Sequence, residues 1–92
     1  MPVKITIPES RQVTKRFVDS FNELRYLKLV QTKKEFCEAV GLAGTSNLNR
    51  MAVNGSKSEP TITNILLLNQ KYNVSIEWVM LGKGSVISEV KR

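Results

Sequence analysis

The chain has 92 residues, 41% of them hydrophobic, which is enough for one small core and too few for two. Its 14 Lys and Arg outweigh 8 Asp and Glu, and the net charge of +6 favours polyanions such as nucleic acid or acidic membrane surfaces. No apolar run approaches the roughly 20 residues that span a bilayer, the opening Met1-Pro2-Val3-Lys4-Ile5 lacks the apolar segment of a signal peptide, and the single cysteine, Cys37, has no internal disulfide partner. The expected setting is the cytoplasm, the nucleoid in a bacterium. The glycosylation-type triplets that start at Asn54 and Asn73 are then chance matches.

Three regions follow from the patterning. Residues 1–9 are an arm or short strand, because Val3, Ile5 and Ile7 alternate with Lys4 and Thr6 between Pro2 and Pro8. Residues 10–84 read as five helices, and residues 85–92 form a tail that alternates again. Ser10 is placed to cap a helix over 10–29, whose apolar face is Val13, Phe17, Phe21 and Leu24. Glu9 and Lys28 suit its dipole at either end. Thr32-Lys33-Lys34-Glu35 is a capping box that opens a second helix. Phe36, Cys37 and Val40 face inward from it, and Gly41 stops it in the left-handed conformation. Thr45 or Ser46 caps a third helix, with Leu48 and Met51 inward. Asn54-Gly55 signals a turn. Pro60-Thr61 opens a fourth helix over 61–72, anchored by Ile62, Ile65, Leu66 and Leu68. Ser75 caps a fifth, carrying Ile76, Trp78, Val79 and Leu81 and ended by Gly82-Lys83-Gly84. Short connections between five helices predict a compact all-α bundle. The alternating ends pair with each other, pair with a second copy, or fray.

Nothing in the chain is arranged for catalysis. There is no histidine, so the commonest general base at neutral pH and the commonest metal ligand are both missing. A lone cysteine makes no zinc site of the usual spacing, and Cys37 falls on the inner face of its helix as a small hydrophobe. Gly82-Lys83-Gly84-Ser85 lacks the earlier glycine and the preceding strand of a phosphate loop. The chain is read as a non-enzyme with no metal and no cofactor.

The region from residue 32 to 60 is informative instead. A helix, a short glycine-containing turn and a polar second helix form the geometry that sets one helix in a DNA major groove. Between Glu38 and Glu59 there is no acidic residue, so this surface meets phosphates without repulsion. With Leu48 and Met51 inward, the third helix exposes Thr45, Ser46, Asn47, Asn49 and Arg50. Asn suits adenine, Arg suits guanine, and Thr offers a methyl to thymine.

These features, with Phe36, Cys37, Gly41-Leu42, Leu48, Met51, Asn54-Gly55, Pro60-Thr61 and the run from Tyr72 to Gly84, give the segment 17–84 its likeness. It resembles the phage Cro and repressor (XRE-type) helix-turn-helix family and its bacterial regulator relatives. The resemblance implies a lambda-repressor-like five-helix bundle that binds DNA. It also implies that Thr32, Lys33 and Lys34 at the second helix's start, and Asn54, Ser56 and Lys57 in the loop, meet phosphates. Thr45, Ser46 and Arg50 would match its base-reading positions. The chain departs from the pattern in three places. Cys37 stands where alanine is usual, Ala43-Gly44 lengthens the turn by a residue, and Ala52-Val53 replaces an acidic residue after Met51.

The expected activity is sequence-specific binding of double-stranded DNA by a repressor-like regulator, with helix 45–52 in the major groove and the amino ends of helices two and three against the backbone. One domain makes few base contacts, so a homodimer on a palindrome is expected, the tail from Ser85 being the candidate dimer element. Arg50→Ala would relax preference at one base pair, and Lys33→Ala would weaken binding to all sequences alike. The alternative is a protein-interaction module, antitoxin-like or a scaffold, that uses the same fold to hold a partner through exposed strand edges.

Overall fold

A stripe of buried side chains, Phe17, Phe21 and Leu24, recurs every three or four residues along the first helix and makes it one wall of the core. The computed structural model describes residues 7–53 and 57–87. Within them the chain forms α1 (Pro8–Tyr26), α2 (Lys33–Val40), α3 (Thr45–Met51), α4 (Ile62–Tyr72) and α5 (Ile76–Leu81). The fold is all-α, as expected. The Val3-to-Ile5 arm, the Asn54-Gly55 turn and the tail from Ser88 lie outside the described residues. Among the described residues, no helix is long and apolar enough to cross a membrane.

The first helix begins and ends earlier than its periodicity predicts. Pro8 sits in the first turn, where its missing N–H is no loss, and Ile7 occupies the cap position without a side-chain acceptor. Ser10 is therefore no cap; it lies inside the helix, and its carbonyl accepts from Thr14 Oγ1 at 3.0 Å. At the other end Lys28 is outside the helix with φ 63°, and Arg25 is the basic residue of the last turn. Just beyond this turn Val30, 2% exposed, joins the core.

α2 packs against α4 and α3, and α1 against α5 and α3. Phe36 of α2 is at the centre. It meets Phe17 and Phe21 edge-on, with centroids 5.8 and 5.2 Å away, and stacks on Tyr72 of α4 at 6.1 Å. Cys37, Val40, Leu48, Met51, Leu68, Val74 and Val79 complete the interior.

α4 shows where periodicity misleads. Ile65 and Leu68 are buried, but Ile62 is 78% exposed and Leu66 44%, so they do not anchor the helix. Their place is taken by Asn64, which is 4% exposed. Its Nδ2 donates to the Val40 carbonyl at 2.7 Å, and its Oδ1 accepts from Thr61 N–H at 2.8 Å. Thr61 Oγ1 in turn accepts from the Asn64 N–H. The start of α4 thus caps itself and also satisfies the end of α2. In Asn64→Ala the Val40 carbonyl loses its partner in the interior, which costs about 1–3 kcal/mol. The unfolding free energy should fall by that amount, read as a lower urea midpoint with an unchanged slope.

α5 is capped by Ser75, whose Oγ accepts from Trp78 N–H at 3.1 Å, and is closed by Gly82 at φ 73°. Val79 is buried, whereas Ile76 and Leu81 are exposed and lie outside the core cluster. The tail does not run free after Gly84. Ser75 N–H donates to the Val86 carbonyl at 2.7 Å, and Val74 and Ile87 form an isolated antiparallel bridge. Within the described residues the tail's partner is the segment between α4 and α5 of the same chain.

Candidate nucleic-acid interface

The α2–turn–α3 unit is built from local rules. Thr32 Oγ1 accepts from Glu35 N–H at 3.1 Å and starts α2. The other half of the expected box is displaced by a residue, since Glu35 Oε1 accepts from the N–H of Gln31 at 3.0 Å. Gly41 ends α2 at φ 82°, as expected. Leu42 N–H then returns to the Cys37 carbonyl at 2.8 Å, which closes the helix end and tucks Leu42 against the core. A Cβ on Gly41 would be strained by the positive φ and would come within 3.1 Å of Leu67 Cδ1.

Gly44, not Thr45 or Ser46, is the cap residue of α3. A glycine has no side chain to cap with, and the acceptor comes instead from inside the helix: Asn47 Oδ1 takes the Gly44 N–H at 3.2 Å. This moves the start of α3 one or two residues towards the amino end and leaves both hydroxyls of Thr45 and Ser46 outside the capping arrangement.

Leu48 and Met51 are buried on the inner side of α3, at 2% and 5% exposure. Thr45, Ser46, Asn49 and Arg50 are exposed. Ser46 and Asn49 lie three apart, and Thr45 and Asn49 four apart, so they share one face. Asn47 is half-buried, with its oxygen engaged in the cap, and stands apart from that group. On α2, Lys33 and Lys34 are exposed, as is Thr32 before it. The structure brings one pair directly together: Lys33 Nζ donates to Asn49 Oδ1 at 2.8 Å. Lys57 is exposed beyond α3, while Asn54 and Ser56 lie outside the described residues. Glu59 closes the acid-free window, and its Oε2 is buried in the fold.

Two arginines that sequence reasoning passed over have structural partners. Arg11 Nη1 donates to the Ser58 carbonyl at 2.8 Å and Nη2 to the Met51 carbonyl at 3.4 Å, which ties α1 to the end of α3. Arg16 Nε donates to Val79 at 2.8 Å and Nη2 to Met80 at 3.2 Å, closing the end of α5. Each guanidinium meets the electronegative end of a helix. Helix-end carbonyls acquire such partners only on folding, so no spacing in the sequence signals them. A groove of about 460 Å³ lies between α1 and the end of α3, lined by Arg11, Lys15, Asp19 and Val53 among others. Its charges are already matched, Lys15 by Asp19 at 3.0 Å and Arg11 by the carbonyls just named.

Cys37 is 1% exposed. Burial pushes its thiol pKa up, and the nearby Lys33 opposes this more weakly. A protonated, enclosed thiol is a poor nucleophile. Among the described residues, no three His, Cys, Asp or Glu side chains gather in a way that would hold a metal ion.

What remains is a solvent-facing, donor-rich helix supported by a second helix whose start carries two lysines. No protein-family model, no curated protein and no solved structure matches the chain.

Proposed function

We propose that this chain is a sequence-specific double-stranded DNA-binding regulator of repressor-like type, with the lambda-repressor-like arrangement of its five helices. The observation that carries the reading is the division of α3. Leu48 and Met51 hold it in the core, while Thr45, Ser46, Asn49 and Arg50 face solvent. In this reading α3 enters the major groove, and Thr32, Lys33, Lys34 and Lys57 flank it towards the phosphates. The proposed setting is the cytoplasm. The proposed form is a homodimer on a palindromic site, with half-sites about 34 Å apart or a multiple of that.

The experiment is selection of bound duplexes from a random pool with the whole chain. A two-fold-symmetric motif is the expected result; recovery of no motif would reject sequence-specific binding. Lys34→Ala supplies a second expectation. A lysine that meets only phosphate adds affinity without reading sequence. Its loss should weaken cognate and random duplexes by the same factor and lower the slope of log affinity against log salt by about 1. Unequal losses, measured by mobility-shift titration at several salt concentrations, would contradict that role.

A second reading, a protein-interaction module on the same scaffold, draws on the apolar side chains left in solvent at Ile62, Leu66, Ile76 and Leu81. Salt separates the two. Duplex binding that falls steeply with added salt belongs to the first reading, and partner capture indifferent to salt without duplex binding belongs to the second.

A further inference from the structure

We infer that Lys33 and Asn49 act as a single donor-rich unit that selects guanine at one base pair of each half-site; the inference rests on the DNA-binding function proposed above. The two side chains come from different helices and are joined by the 2.8 Å bond from Lys33 Nζ to Asn49 Oδ1. Both residues are exposed, and Asn49 shares its face of α3 with Thr45 and Ser46.

The chemistry of the pair sets its preference. An ammonium has only protons to give, so the amide atom turned to it is the oxygen. An unattached Asn recognises adenine by using both ends of its amide, the oxygen accepting from N6–H and the nitrogen donating to N7. Here the oxygen is turned to Lys33, and Nδ2 is the half left to project. Lys33 retains further N–H donors of its own. Lys33 takes one of the two lone pairs of Oδ1, so together they offer four N–H donors against one remaining lone pair that sits beside the ammonium. Guanine presents two acceptors, N7 and O6, along its major-groove edge. Adenine presents one acceptor and an amino group, and that amino group would face donors and lose its partner on leaving water. The unit therefore favours guanine where the asparagine alone would favour adenine. Lys33 acquires a part in specificity beyond the phosphate contact expected from its position at the start of α2.

The test is site selection from a random duplex pool, run in parallel on the full-length wild type, Lys33→Met, Lys33→Arg and Asn49→Ala, with thermal unfolding followed by circular dichroism to verify folding. The wild type should yield a motif with guanine at the position that loses its preference in Asn49→Ala. Lys33→Met, which frees Oδ1, should keep the rest of the motif and swing that position from guanine towards adenine, by roughly tenfold or more in the ratio of the two bases. Lys33→Arg, which preserves the donor, should keep guanine. If wild type and Lys33→Met show the same base there, or if Lys33→Met only weakens all sequences equally, the inference is overturned and DNA reading by α3 stands. If the wild type enriches no motif, the DNA-binding proposal fails, and the inference fails with it.

Discussion

Replacement of Phe36 by alanine is expected to remove a large share of the stability of this protein. The ring is fully buried and touches aromatic rings from α1 and α4: Phe17 and Phe21 on two sides and Tyr72 on a third. Truncating a buried Phe to Ala costs about 3–5 kcal/mol, the transfer of the ring plus the cavity it leaves. A domain of this length has a total stability of roughly 5–14 kcal/mol. The cavity would open where rings from α1, α2 and α4 meet. Urea unfolding followed by far-ultraviolet circular dichroism should show a transition displaced by at least 3 kcal/mol, or no folded baseline at all. A displacement below about 1 kcal/mol would mean that the three helices are held by contacts other than this aromatic cluster.

The largest functional effect is expected at Arg50. It is exposed in the last turn of α3, four residues beyond Ser46 and within the acid-free stretch. A guanidinium presents a fork of N–H donors that matches N7 and O6 of guanine, and such a pair discriminates by about 1–3 kcal/mol. Arg50→Ala should therefore reduce affinity for the selected site by roughly 5- to 150-fold, the same energy expressed as a ratio. It should change affinity for random duplex by far less and flatten base preference at one position per half-site. Because the side chain is in solvent, the variant should unfold at the same temperature as the wild type. Equal losses on selected and random duplex would make Arg50 a phosphate contact, and the base-reading part of the proposal would pass to the amino end of α3. The comparison with Lys34→Ala is informative, since that residue is expected to behave in the opposite way on the same two duplexes.

Where local chemistry decides, the residues themselves announce the structure. Thr32 and Ser75 cap their helices through their own hydroxyls, and Gly41 and Gly82 end theirs at positive φ. These are short-range arrangements, set by the residue and its neighbours within one turn. Burial on α1 and α2 was also legible, because Phe17, Phe21, Leu24, Phe36 and Val40 repeat at helical spacing. The misplacements come from sites where two local solutions compete, or where docking chooses a different face. Ser10 is a good cap, but Pro8 starts the helix sooner. Thr45 and Ser46 are good caps, but Asn47 reaches back to Gly44. Ile62 and Leu66 have the hydropathy of core residues, yet the side of α4 that meets α2 is the one bearing Asn64, Ile65 and Leu68.

The sequence by itself determined the five helices, the glycine stops of α2 and α5, the aromatic interior, and the acid-free polar stretch that leads to a nucleic-acid reading, because each depends on residue type and on spacing within a turn or two. Tertiary structure alone decided what residues far apart in the chain do for one another. It joined Lys33 to Asn49, gave Asn64 the carbonyl of Val40, and committed Arg11 and Arg16 to the ends of α3 and α5. It also turned the tail back onto Val74. Such bonds depend on how helices dock, and docking is the outcome of burying many side chains at once, which no spacing along the chain encodes.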